Sequence, residues 1–190
     1  TKIEFAQNRL RKLRVRDRRF RSKRSLSLLI SRVAVIVAES GMERAARLLF
    51  LIAKNFCALN FDANKWLALY ANRRGYHEGA IAYLKAALAV IPEDPSTRLN
   101  LVADLIFQSN SNFTDTAQLH AKVAIFHGGP ATRDRFRLCL VNTKNREELS
   151  EQFNKIFNLV EKEREEWKKR RSEVLKPEVF GHVVHFGFRE

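Results

Sequence analysis

Apolar residues recur at intervals of three and four along most of the chain, which predicts helices that each bury one face. Ile3, Ala6, Leu10, Leu13 and Phe20 make a first stripe and predict one helix over residues 3–24, its stripe broken by Asp17. A second pattern repeats at a fixed period. Gly41 and Gly75 are 34 residues apart, as are Ala46 and Ala80, Phe50 and Leu84, and Ala53 and Ala87. Val33, Leu67 and Leu101 share that spacing, and so do Ala34, Ala68 and Val102, and Val37, Ala71 and Leu105. Small residues return where two helices would cross closely, and larger ones a turn away. One helix pair per period is the reading.

Leu149, Phe153, Ile156, Val160, Trp167 and Val174 form a third stripe at heptad-like spacing, interrupted by Glu163 and Arg170. They predict a helix over 146–175, roughly 45 Å long. Asn145 and Glu148 suit its N-cap, and Pro177 stops it. Two roles are open for it: capping the repeats, or pairing with a second copy through 146–175. Beyond Pro177 the period changes. Residues 178–190 are β-branched and aromatic and predict a short strand with no partner in the chain, expected to be the first strand of a further domain.

The unit over 61–94 carries the run Gly75-Tyr76-His77-Glu78-Gly79-Ala80-Ile81-Ala82-Tyr83-Leu84-Lys85-Ala86-Ala87-Leu88, closed by Pro92. With Leu67 and Ala68 upstream, it resembles the tetratricopeptide repeat family. Ala71 stands where that family has a larger residue. Residues 27–60 form a second such unit without the closing proline. Residues 95–131 form a third if about three residues are inserted around Ser109 to Asp115. Residues 132–142 open a partial fourth. The resemblance implies an all-α, tetratricopeptide-like α-solenoid of about three helix pairs over 27–142. A basic N-terminal helix (1–26), a long helix (143–177) and a strand-like tail (178–190) flank it. It also implies a groove lined by the first helix of each pair. The corresponding positions include Arg32 and Val35, then Lys65, Leu69, Asn72 and Arg73, then Leu99 and Phe107. The basic clamp with which some family members hold a peptide carboxylate is absent, since Ser31, Val35, Trp66, Ser96 and Asn100 occupy its places.

Charge sharpens this picture. The chain of 190 residues has a net charge of +14, and residues 1–26 hold eleven Lys and Arg against Glu4 and Asp17, a local +9. The bases are Arg9, Arg11, Lys12, Arg14, Arg16, Arg18, Arg19, Arg21, Lys23 and Arg24, with Lys2. A helix so charged repels itself unless a groove or an anionic surface neutralises it. A cap with a solvated basic face, an anionic lipid surface and nucleic acid are the three expected roles. Nucleic acid is third, because Phe20 is the lone aromatic of the basic run.

Candidate chemistry is sparse. Cys57 and Cys139 are far apart in apolar runs and read as core residues of a reducing compartment. His182 and His185 would fall on opposite faces of a strand and cannot chelate one metal. No CxxC, HExxH, Walker or dinucleotide motif is present. No catalytic residue, metal or cofactor is therefore assigned. The leading expectation is a cytoplasmic protein- or peptide-binding scaffold, peripheral at the inner face of a membrane. The alternatives are an accessory region of a membrane-associated glycosyltransferase or capsule polymerase, suggested by the trailing strand, and nucleic-acid binding through the arm.

Overall fold

The computed structural model describes residues 22–109, 113–140 and 145–174, and among these every regular element is an α-helix. Helix α1 covers residues 22–39 without a break at Leu26 and Ser27. It is followed by α2 (Glu43–Phe56), α3 (Phe61–Arg73), α4 (His77–Leu88), α5 (Pro95–Gln108), α6 (Asp115–Gly128), α7 (Ala131–Cys139) and α8 (Arg146–Val174). The strand expected over 178–190, and residues 1–21 of the basic arm, lie outside the described residues.

The short connections make sequence neighbours pack against each other. From α2 onward each helix packs on the next, and α5 also meets α7 while α6 meets α8. The turns explain the 34-residue glycine spacing. Gly41 and Gly75 both adopt positive φ, at 80° and 72°. Gly75 N–H bonds to the Asn72 carbonyl at 2.8 Å and Tyr76 N–H to Ala71 at 3.0 Å. Gly41 and Met42 make the same two bonds to Ala38 and Val37. This is the Schellman stop, in which a left-handed residue lets the chain reverse while satisfying the last carbonyls. Helix starts recur at the same interval. Asn60 caps α3 by accepting from Ala63 N–H, and Asp94 caps α5 by accepting from Thr97 N–H, with Pro95 in the first turn.

Burial follows the period. Ala46 and Ala80, Phe50 and Leu84, and Ala53 and Ala87 are all fully buried, as are Ala34, Ala68 and Val102 within a per cent. The exception is Val33, which is 44% exposed where Leu67 and Leu101 are buried. Three apolar clusters result. One joins α1, α2 and α3 around Ala34, Ala46, Phe50, Ala53 and Leu67. A middle one holds Ala68, Ala80, Leu84 and Leu101. The largest runs from α5 to α8, with Ile106, Ile125, Phe136, Leu149, Phe153, Phe157 and Val160. The α8 stripe is thus consumed inside the chain over its first half: Leu149, Phe153 and Val160 are buried and Ile156 half-buried. Trp167, further along, remains 43% exposed with its ring edge-on to Phe126.

Two polar features pin the stack. Asn60 is buried, and its Nδ2 donates to Ser27 Oγ at 2.7 Å and Ser31 Oγ at 2.9 Å, while Ser27 Oγ donates to the Ala53 carbonyl. Asn60 and Ser27 together therefore tie α1, α2 and α3. Asp94 accepts from both the amide and the hydroxyl of Thr97 and from Lys65 Nζ at 3.3 Å. Partial burial works against its ionisation, but those donors prevail and hold the carboxyl below its usual range.

Candidate functional site

A cleft of about 380 Å³ opens between α3, α4, α5 and α7. Helix periodicity places its lining. On α5, Asn100, Ala103, Asp104 and Phe107 recur at three and four and face the cleft, while Leu99, Val102 and Ile106 face the large core. Ala68, Leu69 and Asn72 come from α3, His77 and Leu84 from α4, and Leu138 and Cys139 from α7.

Asp104 is the chemical centre. Its side chain is 2% exposed, and its Oδ1 accepts from Asn72 Nδ2 at 2.6 Å. His77 Nδ1 lies 2.7 Å from the same oxygen and stacks its ring on Phe107, with centroids 4.8 Å apart. Burial pushes the Asp104 carboxyl above its usual range, opposed by the two hydrogen bonds and the His77 charge. Cys139 donates to Asn100 Oδ1 at 3.6 Å. Burial, with the charge of Asp104, pushes its thiol up to about 11. At neutral pH it is therefore a protonated thiol, a weak nucleophile, and its bond runs to Asn100 rather than to the imidazole. The arrangement is an orienting pair without a wired nucleophile. What it offers a ligand is an apolar floor of Leu69, Ala103 and Phe107 beside fixed amide, imidazole and carboxylate groups.

Of the groove residues expected from the sequence, Leu69, Asn72 and Phe107 come together in this cleft. The others are elsewhere. Leu99 is 1% exposed and belongs to the core, one position off the cleft-facing stripe. Lys65 pairs with Asp94 and lies over the Phe61 ring. Arg73 pairs with Glu43 of α2. Arg32 is exposed on α1, and Val35 packs against the first core cluster. Of the expected basic surface, Lys23 and Arg24 are exposed on α1. Arg9, Arg11, Lys12, Arg14, Arg16, Arg18, Arg19 and Arg21 lie outside the described residues. Arg24 also borders a second cleft of about 400 Å³, between α1, the α2–α3 turn and the α4–α5 connection, whose walls include Leu28, Phe61 and Ile91.

Sequence reasoning gave no site role to His77, Asp104 and Leu138, met Asn100 only as a position of the absent clamp, and read Cys139 as core alone. Asp104 did leave a signal. It is the one charge inside the apolar run Leu101–Phe107, and a buried carboxylate needs partners. Among the described residues, no group of three or more His, Cys, Asp or Glu side chains could hold a metal ion. No helix among them is long and apolar enough to cross a membrane. No family model, curated protein or solved structure matches the chain.

Proposed function

We propose that this chain is a non-catalytic, tetratricopeptide-like scaffold. It holds a peptide segment of a partner protein in the α3–α5–α7 cleft and is recruited to an anionic membrane surface by its basic N-terminal residues. The observation that carries the first half is the cleft itself: an apolar floor beside a fixed Asn72–Asp104–His77 cluster and a Cys139 thiol held protonated by burial. The alternation of α1, α3, α5 and α7 with their partners, and the 34-residue recurrence of stops and caps, support the solenoid reading. The charge of the arm supports the second half.

Such a groove grips backbone through polar side chains and selects apolar residues through its floor. A displayed library of random twelve-residue peptides, selected against the full chain, tests this. Selected peptides are expected to lose at least tenfold in affinity on Asn72→Ala and on Phe107→Ala. A selection whose binders are indifferent to both substitutions overturns the peptide reading.

A further inference from the structure

Helices α1 and α2 are more apolar on their outside than any other part of the described structure. On α1, Leu26, Leu29, Val33 and Ile36 recur at three and four and are 40–63% exposed. On α2, Leu48, Ile52 and Phe56 recur at four and are 38–61% exposed. The opposite sides of both helices are already used, by Ser27, Ser31, Ala34, Ala46, Phe50 and Ala53. The outward stripes therefore contribute nothing to the core, and a soluble surface does not need them.

The same segment holds the charge. Residues 1–59 carry fifteen Lys and Arg against four Asp and Glu, so +11 of the +14 lies there. Arg32, Arg44 and Arg47 are exposed on the two helices, and Glu43 is committed to Arg73 of α3. Apolar stripes rimmed by bases suit one environment: the boundary between headgroups and acyl chains of an anionic bilayer. A second copy fits poorly, because stacking two such faces sets the exposed Arg32, Arg44 and Arg47 of one against those of the other. Nucleic acid would use the bases and leave seven aliphatic and aromatic side chains in water.

We infer that the outward stripes of α1 and α2 enter the interface of an anionic membrane, so that the helix pair itself, and not only the basic arm before it, is the membrane-binding element. This rests on the membrane half of the proposed function and names its surface. The apolar residues add binding that salt does not screen, whereas the arm's contribution falls with salt. A molecule docked by this end would leave the Asp104 cleft, which draws nothing from α1 or α2, free for a partner.

The test is co-sedimentation of the full chain with vesicles of phosphatidylcholine alone or with one third phosphatidylglycerol, at low and high salt. Ile36→Glu and Leu48→Glu are compared with the unaltered chain. Both sites are exposed, and circular dichroism checks that the helices persist. Binding to the anionic vesicles, at least tenfold weaker in each variant and partly resistant to salt, is the expected result. A second readout is quenching of Ile36→Trp by brominated lipid, against the background of Trp66 and Trp167 in the unaltered chain. Binding that is equal in the variants and wholly lost in salt overturns this inference and leaves recruitment by the arm standing. No binding by the unaltered chain overturns both. Dimerisation in solution abolished by the same variants assigns the stripes to a second copy and overturns the inference too.

Discussion

The two ends of the stack are held together by different chemistry. At the α5–α8 end the core is large and aromatic: Phe136 and Phe153 stack with centroids 4.0 Å apart, and Arg133 lies over the Phe157 ring at 4.2 Å. Here α8 lays its apolar stripe against α6 and α7. At the α1–α3 end the apolar cluster is rich in alanine, with Phe50 stacked on Trp66, and the buried Ser27–Ser31–Asn60 network adds polar ties between the helices. Among the described residues, ten of the seventeen exposed large hydrophobic side chains lie there, between Leu26 and Leu59. A helix pair cannot bury its apolar face alone. The α8 side shows what that burial looks like, whereas the outward stripes of α1 and α2 stay exposed among the described residues.

The sharpest way to break the contrast is at the aromatic end. Phe153→Ala removes a fully buried ring from the stack and is expected to lower stability by about 3–5 kcal/mol, read by urea denaturation. A loss near that of a surface residue would mean that α8 is not a structural cap. At the other end, Asn60→Ala strips a helix cap and leaves two buried serines without their shared donor. About 2–3 kcal/mol is expected, and Asn60→Asp should not restore it, because a carboxylate can cap but cannot donate to both hydroxyls.

A smaller effect tests the middle of the stack. The Asp104 carboxyl is raised in the folded chain, so its contribution to stability is full below the ordinary carboxylate range, about pH 4, and declines as pH rises through the folded value. Asp104→Asn keeps an acceptor for Asn72 and His77 without the buried charge. It should melt a few degrees higher than the natural chain at pH 7 and show a flatter Tm between pH 4 and 7. An Asp104→Asn melting curve that tracks the natural one at every pH would show that burial is not straining this carboxylate. Least of all is expected from Ile36→Gln and Leu48→Gln. Both should stay within about 0.5 kcal/mol of the natural chain, which would place the outward stripes outside the folding core.

Much of this was legible because repetition amplifies weak signals. One glycine predicts little, but Gly41 and Gly75 at one spacing, each followed by buried alanines, locate two turns and four helices. The α8 stripe was readable for the same reason, as 29 residues sample one period many times. What escaped were pairings between distant residues. Nothing near Asn60 says that it donates to Ser27 and Ser31, 33 and 29 residues away. The cleft-facing stripe of α5 was partly misassigned because Leu99 and Asn100 are adjacent, and 100° of helix rotation separates the core from the cleft. His77 reads as an ordinary turn residue until Asp104 and Phe107 arrive from α5.

The Asn60 network bears on how such a chain could be altered by shuffling. A repeat protein is usually treated as a string of interchangeable parts, each cut at its own boundary. Here Asn60, at the joint between the units expected over 27–60 and 61–94, serves both sides. It starts the helix of one and supplies the buried hydrogen bonds of the other. Excising or transplanting either unit at that joint would strand Ser27 and Ser31 or leave α3 without its cap. The segment from Ser27 to Asn60 is therefore keyed to α3 and is not portable without it.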